Sequence, residues 1–246
     1  MFDLAVVMPV YNEEACIVEV IESWRDRLSN LRINFKIFAL NDGSTDNTLK
    51  ALAVFKDDKR IEVINKKNSG HGPTILIGYK MAADIADWVF QCDSDDEMKA
   101  EHFAGLWEKR NQFDALFGMR VNRKQNLGRK MISAMSRFTV HLLFGKGVVD
   151  VNTCYRLMRA GILKQIARQI PEDTFAPNVI ISGAISKAGL RIYNHPVPYE
   201  ARKTGTVSIM RWKLWRAAFK SFIQTLKCRP VIQKDDNGAS STIGTR

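Results

Sequence analysis

Residues 4–14 read LAVVMPVYNEE: an apolar run of strand length, Leu4–Pro9, that breaks off into an aromatic residue, an amide and two acids. The same grammar recurs downstream. Phe35–Leu40 (FKIFAL) runs into Asn41-Asp42-Gly43-Ser44-Thr45-Asp46, and Trp88–Cys92 (WVFQC) runs into Asp93-Ser94-Asp95-Asp96-Glu97. Ile61–Ile64 is a further short apolar run. Helical periodicity fills the gaps over Glu13–Leu28, Thr45–Lys56 and Pro73–Ala86, and Ser44, Thr45 and Asp46 supply N-cap chemistry for the second. Strands alternating with helices predict an α/β fold with a mostly parallel sheet and helices on both faces. Such sheets bind ligands at the carboxyl ends of their strands, which directs attention to the loops after Pro9, Leu40 and Cys92.

Working outward, 246 residues with 46% apolar and 26% charged side chains suit one sizeable globular core. No stretch reaches the roughly 18–20 uninterrupted apolar residues of a membrane span. Residues 1–10 carry Asp3 and no basic n-region, so no signal peptide is expected. The four cysteines, 16, 92, 154 and 228, have no metal or disulfide spacing and read as reduced thiols of a cytosolic protein. Charge is polarised along the chain: residues 1–116 hold 14 basic and 20 acidic side chains, whereas residues 117–231 hold 21 and 4. A basic surplus of that size suits a phosphate-bearing partner, or simply a solubilising surface.

From about Phe117 the alternation loosens. Met131–Phe144 reads as an amphipathic helix, Val148–Met158 as a loop and strand, Asn178–Ala188 as a helix and Leu190–Pro196 as a late strand. The predicted organisation is a catalytic-type domain over 1–205, a basic amphipathic helix within 206–231 and a polar, disordered tail over 232–246. In Ile209–Lys227, Ile209, Trp212, Trp215, Phe219, Phe222, Ile223 and Leu226 share one helical arc, with Arg211, Lys213, Lys220 and Lys227 at its flanks. That is the pattern of a helix lying in a membrane interface. Docking on the domain or a contact between two copies of the chain uses the same face.

The three polar clusters differ in how much they demand. Residues 9–14 and 41–46 are compatible with ordinary strand–helix punctuation and a tight turn. Four acids within Asp93–Glu97 are not: like charges so close repel unless a cation neutralises them. Hard oxygen ligands without neighbouring imidazole or thiolate select Mg²⁺ or Mn²⁺, ions that also take substrate phosphates.

Together VMPVYNEE, NDGSTDNT and DSD resemble the signatures of family 2 glycosyltransferases, over about residues 3–205. The resemblance implies the Rossmann-like GT-A fold and a nucleotide-sugar donor. It implies that Pro9, Tyr11 and Glu13 line the nucleotide pocket, that Asp42 bonds the base, and that Asp93, Ser94 and Asp95 form the DxD segment. Asp93 and Asp95 would hold the metal bridging the donor phosphates. Asn41 departs from the acid common at its place. Gly118-Met119-Arg120, Arg129-Lys130-Met131-Ile132-Ser133, Asp150 to Arg156 (DVNTCYR) and Arg202-x-x-Gly205 resemble the dolichol-phosphate mannose synthase type. An acid usual in the helix before Ala188-Gly189 is absent, and Asn178 stands near its place.

The resemblance implies a function: a metal-dependent, inverting transfer of a hexose from a GDP- or UDP-sugar to a polyprenyl- or dolichyl-phosphate acceptor. The work would be done at the cytoplasmic face of a membrane. Asp95, Asp150 and Arg156 are the expected catalytic residues, with Arg120, Arg129 and Arg202 gripping the acceptor phosphate. A sugar-hydroxyl acceptor in cell-surface polysaccharide synthesis is the alternative, and Glu172 or Asp173 would then be the base. Two remoter readings stay open. Gly70-His71-Gly72 with Gly78 loosely matches a dinucleotide fingerprint, though Pro73 interrupts it. A basic nucleic-acid-binding protein fits the charge but lacks any matching motif, and the acidic cluster would repel nucleic acid; no nucleic-acid partner is expected.

Overall fold

The computed structural model describes residues 1–121, 147–200, 222–228 and 230–232. Its centre is a seven-stranded sheet of β1 (Phe2–Val10), β2 (Phe35–Asp42), β3 (Ile61–Lys66), β4 (Ala86–Gln91), β5 (Ala115–Val121), β6 (Arg156–Arg159) and β7 (Ile192–Pro198). The spatial order is β3-β2-β1-β4-β6-β5-β7. Every neighbouring pair is parallel except the two made by β6, which runs antiparallel to β4 and β5.

β1 is the spine. Leu4, Ala5, Val6, Val7 and Met8 are all 0% exposed, because a central parallel strand is covered on both faces. Alternate side chains therefore feed two cores. Leu4, Val6 and Met8 enter one with Trp24 and Leu28 of α1 (Ile17–Asn30) and Phe103 of α4 (Phe103–Lys109). There Trp24, Phe90, Phe103 and Tyr155 pack with ring centroids 4.8–5.9 Å apart. Ala5 and Val7 enter the other with α3 (His71–Ile85), α5 (Ala160–Arg168) and α6 (Pro177–Lys187). Gly78 brings α3 against β1: a β-carbon there would lie 2.4 Å from Val7 Cγ1, so Gly78→Ala would push the helix off the sheet.

The α/β architecture expected from the sequence is present, with shifted boundaries. The helix expected from Glu13 begins at Ile17, since residues 13–16 form a turn in which the Glu13 carbonyl accepts from Cys16 and Ile17. The one expected over 45–56 contracts to α2 (Thr48–Leu52) and a 3₁₀ turn, with Asp46 accepting from the Thr48 amide. β4 starts directly where α3 stops, so the strand is Ala86–Gln91 and Cys92 belongs to the following loop. Helix α5 has no counterpart in the sequence reading; it follows β6 directly and buries Ala160, Leu163, Ile166 and Ala167.

The expected helix over 131–144, the boundary at 205 and the tail over 233–246 lie outside the described residues, as do 209–221 of the basic helix. Residues 222–227 are helical. Thr225 is buried, Gln224 Oε1 accepts from the Phe175 amide (2.9 Å), and Gln169 exchanges two hydrogen bonds with the Val231 backbone (2.8 and 3.0 Å). This end of the segment docks on the domain through Gln224, Thr225 and Cys228, while Phe222 and Lys227 are exposed.

Candidate active site

Parallel strands end together, so the loops after β1, β2 and β4 meet at one edge of the sheet. The first two are laced by side chain–backbone hydrogen bonds. Asn12 donates its amide to Ser44 Oγ (3.0 Å) and accepts from Thr45 N (2.8 Å). Glu13 N donates to Thr48 Oγ1 (2.8 Å), and Asn47 N to Glu14 Oε2 (2.7 Å). Asn12 has a left-handed backbone, φ 55°, which a short amide side chain tolerates better than most. The result leaves Tyr11 exposed at the edge, with Pro9 buried in the strand and Glu13 turned inward, where its carboxylate accepts from Cys16 Sγ (3.4 Å).

Asp42 closes β2 and is 4% exposed. Its carboxylate takes hydrogen bonds from the amides of Ser69 and Gly70 (both 2.9 Å) and pairs with Lys66. Burial alone would raise its pKa; Lys66, the Ser69 amide and Thr74 outweigh that and hold it below the usual carboxylate range. Both oxygens expected to meet a base are thus engaged in pinning the loop that starts α3. Gly43 permits this turn, with φ +65° and no room for a β-carbon, which would lie 2.7 Å from Asn68 N. Asn41 is buried and bonds Asn65 (2.8 Å) and Ser44.

The acidic loop follows β4. Asp93 Oδ1 accepts from Gln91 Nε2 (3.2 Å) and meets His71 Nε2 at 3.1 Å. Ser94 is buried and its carbonyl faces Cys16 Sγ (3.7 Å); Asp95 Oδ1 accepts from the Glu97 amide (3.2 Å). Negative charge accumulates here. Burial first, then Asp93 and Asp95, pushes the thiols of Cys92 and Cys154 well up. Desolvation works against the His71 imidazolium, but Asp93, Asp95 and Asp42 outweigh it and raise the pKa. Burial also opposes ionised Asp93, yet His71 and Arg120 hold its pKa down.

Among the described residues no group of three or more His, Cys, Asp or Glu makes a self-sufficient metal cage. Two ionised carboxylates at an open edge suit a hard divalent cation that draws its other oxygens from phosphates and water, so the residues fit Mg²⁺ or Mn²⁺. His71, which stands in the sequence only within the loose Gly70-His71-Gly72 fingerprint match, is placed on Asp93 itself. Behind Asp93 stand Gln91 and Tyr79, which the sequence reading missed, and Asn178, which it marked only as standing near the place of an absent acid. The available signal was a glutamine closing the apolar run Trp88–Phe90.

The expected acceptor residues divide. Arg120 makes a two-pronged ion pair with Asp150, at 2.7 and 2.8 Å, and both are largely shielded. Asp150 outweighs burial and raises the arginine's pKa. Arg156, expected to be catalytic, is turned inward: it is 0% exposed, and its guanidinium donates to the carbonyls of Thr153 (3.0 Å), Asn178 (3.2 Å) and Val151 (3.2 Å) over the Phe117 ring. A polar edge position in the sequence is here an inward-pointing clamp. Glu172 is solvent-exposed and pairs only loosely with Lys80 (3.3 Å). Arg129 and Arg202 lie outside the described residues.

The sheet order and acid-lined strand edge are those of an α/β fold whose polar loops gather at the carboxyl ends of parallel strands. Residues 5–167 match glycosyl transferase family 2, and the chain belongs to that family. It is 27% identical over 208 residues to the undecaprenyl-phosphate 4-deoxy-4-formamido-L-arabinose transferase of Pectobacterium atrosepticum, covering 83% of this chain and 62% of that one. The chain thus spans less than two thirds of that relative. Among solved structures, mannosyl-3-phosphoglycerate synthase from Rubrobacter xylanophilus superposes with TM-score 0.69 at 13% identity, covering 92% of this chain and 73% of that one. Glucosyl-3-phosphoglycerate synthase from Mycobacterium tuberculosis, solved with Mn²⁺, UDP and phosphoglyceric acid, gives 0.67 at 16% identity, covering 94% and 80%. Both show the fold.

Proposed function

We propose that the chain is a metal-dependent, inverting hexosyltransferase that moves a sugar from a UDP- or GDP-sugar to a polyprenyl phosphate. The observation that carries this is Asp93-Ser94-Asp95 at the end of β4, at the same sheet edge as the laced β1–β2 loops. The nucleoside would sit by Tyr11, and Asp93 and Asp95 would hold the cation. A divalent cation bound there supplies charge neutralisation for the departing nucleoside diphosphate. The named polyprenyl-phosphate relative and the Mn²⁺–UDP neighbour support the same substrate classes.

A phosphate acceptor is already an anion, so the chain needs to orient it rather than deprotonate it. Arg120 is the described candidate, held in place by Asp150, with Arg129 and Arg202 as further proposals. Hydroxyl acceptors would need a base, and exposed Glu172 lies in a salt bridge rather than a sheltered cleft.

Membrane attachment through 209–227 belongs to the same proposal. At 100° per residue, Phe222, Ile223 and Leu226 point away from the face formed by Gln224, Thr225 and Cys228. No described helix is long and apolar enough to span a membrane. The amphipathic pattern of 209–227 supports peripheral attachment, proposed here at the cytoplasmic face.

The test is transfer from radiolabelled UDP- and GDP-hexoses with Mn²⁺ to a short polyprenyl phosphate, in parallel with soluble sugar acceptors. Label should enter an organic-extractable, acid-labile product. Transfer to sugar hydroxyls alone would replace the lipid-phosphate reading.

A further inference from the structure

A polar chain crosses the apolar interior directly behind Asp93. Tyr79 of α3, Gln91 closing β4 and Asn178 near the start of α6 are 0%, 0% and 8% exposed. The Tyr79 hydroxyl lies 2.7 Å from Gln91 Oε1 and 2.8 Å from Asn178 Oδ1. Asn178 Nδ2 donates to Gln91 Oε1 at 2.8 Å, and Gln91 Nε2 donates to Asp93 Oδ1 at 3.2 Å. The Asn178 backbone is held too, because its carbonyl takes Arg156 Nη1.

Only one orientation of the two amides serves an ionised Asp93. The carboxylate accepts and cannot donate, so Gln91 must turn its NH₂ toward it. That leaves Gln91 Oε1 facing inward, where it needs a donor, and Asn178 Nδ2 is the amide group that provides one. Asn178 Oδ1 is then left facing Tyr79. Burial pushes the Tyr79 pKa up, so the phenol stays protonated, and its single proton is shared between the two carbonyl oxygens. Buried polar networks are costly when half-satisfied, and this one closes only with the amides in this order.

We propose that Gln91 and Asn178, backed by Tyr79, are positioning residues that fix the rotamer of the Asp93 carboxylate for the donor's cation. Gln91 grips Oδ1 from inside the protein while His71 meets the same oxygen from the solvent side. This rests on the proposed role of Asp93 as a metal ligand. The polarity argument makes a specific demand: Asn178→Asp places a carboxylate against Gln91 Oε1. Gln91 must then reverse, and its carbonyl oxygen is turned on Asp93.

The test is Mn²⁺ binding to the full chain, read from the electron paramagnetic resonance of free Mn²⁺, in the presence of UDP and separately of GDP. Asp93→Asn should weaken Mn²⁺ binding more than any other variant, leaving residual binding that is read at higher Mn²⁺. Asn178→Leu and Asn178→Asp should each weaken Mn²⁺ about tenfold, the range of lost outer-shell partners. Tyr79→Phe should cost about twofold by the same reasoning. In an Asp93→Asn background Asn178→Leu should cause no further loss, whereas a merely structural defect would multiply.

Wild-type Mn²⁺ affinity in the Asn178 variants, with Asp93→Asn impaired, overturns the relay and leaves the metal site standing. Wild-type affinity in Asp93→Asn overturns both. Multiplicative losses in the double variant also overturn the positioning role. If the Asn178 variants do not fold, Tyr79→Phe, which removes one oxygen atom, carries the same cycle at smaller amplitude.

Discussion

The two halves of the sheet treat their polar residues in opposite ways. In β3-β2-β1-β4 all strands are parallel, and the polar residues that follow each apolar run emerge at a common edge and bond one another across loops. In β6-β5-β7 the middle of the pattern is broken by antiparallel β6. Arg156 opens that strand and pairs with Gln91, so it stands beside the acidic loop in the sheet, yet its side chain is buried under three carbonyls. Position at the site's edge and access to a ligand are separate properties. The first comes from strand order, the second from which way the residue faces.

Substitutions in the two halves should therefore fail in different ways. The largest effect is expected from Asp95→Ala, which should lower turnover by roughly 10³-fold, the scale of losing a main electrostatic contributor. Its thermal midpoint should stay near the parent's. Normal turnover with the metal chelated away would erase the distinction between the halves.

Arg156→Lys should lose about 3 kcal/mol of stability in chemical denaturation, because one ammonium cannot reach carbonyls arranged for a planar fork. Its acceptor and donor KM should move together. A selective rise in acceptor KM, with stability unchanged, would return Arg156 to the site.

Asp42→Asn sharpens the donor side. The folded carboxylate has a depressed pKa, so its contribution is present above the unfolded value and fades as pH falls through the folded one. The variant should lose about 1–2 kcal/mol at neutral pH, and the gap should close below about pH 4. An equal gap at pH 3 and pH 7 would contradict the Asp42–Lys66 account. Smallest of all, Glu172→Gln should change stability by less than about 0.5 kcal/mol and leave turnover unchanged, as for an exposed pair. A large loss of turnover would instead point to a base at that position.

The same contrast explains what could be read from the sequence. Strand runs LAVVMP, FKIFAL and WVFQC were legible because a central parallel strand is apolar on both faces, and the acids after them because nothing structural requires four carboxylates in five residues. Strand–helix boundaries slipped where a polar loop also favours a turn, as at residues 13–16. The inward turn of Arg156 was illegible: an arginine after DVNTCY reads as a surface cation, and only its bonds to the carbonyls of Thr153, Asn178 and Val151 show it buried. Likewise the relay through Tyr79, Gln91 and Asn178 joins residues up to 99 positions apart. No local pattern announces such a network.

The central claim is that the edge formed by the first four strands binds a nucleoside diphosphate together with a divalent cation. Thermal unfolding of the parent chain and of Asp95→Ala, with UDP or GDP and with or without Mn²⁺, tests it directly. For one nucleotide at about a hundred times its Kd, Mn²⁺ should add about 2.7 kcal/mol, or roughly 5–10 °C, to the parent. Asp95→Ala should show almost none of that gain. Nucleotide stabilisation that is the same without metal, or the same in Asp95→Ala, would contradict the account.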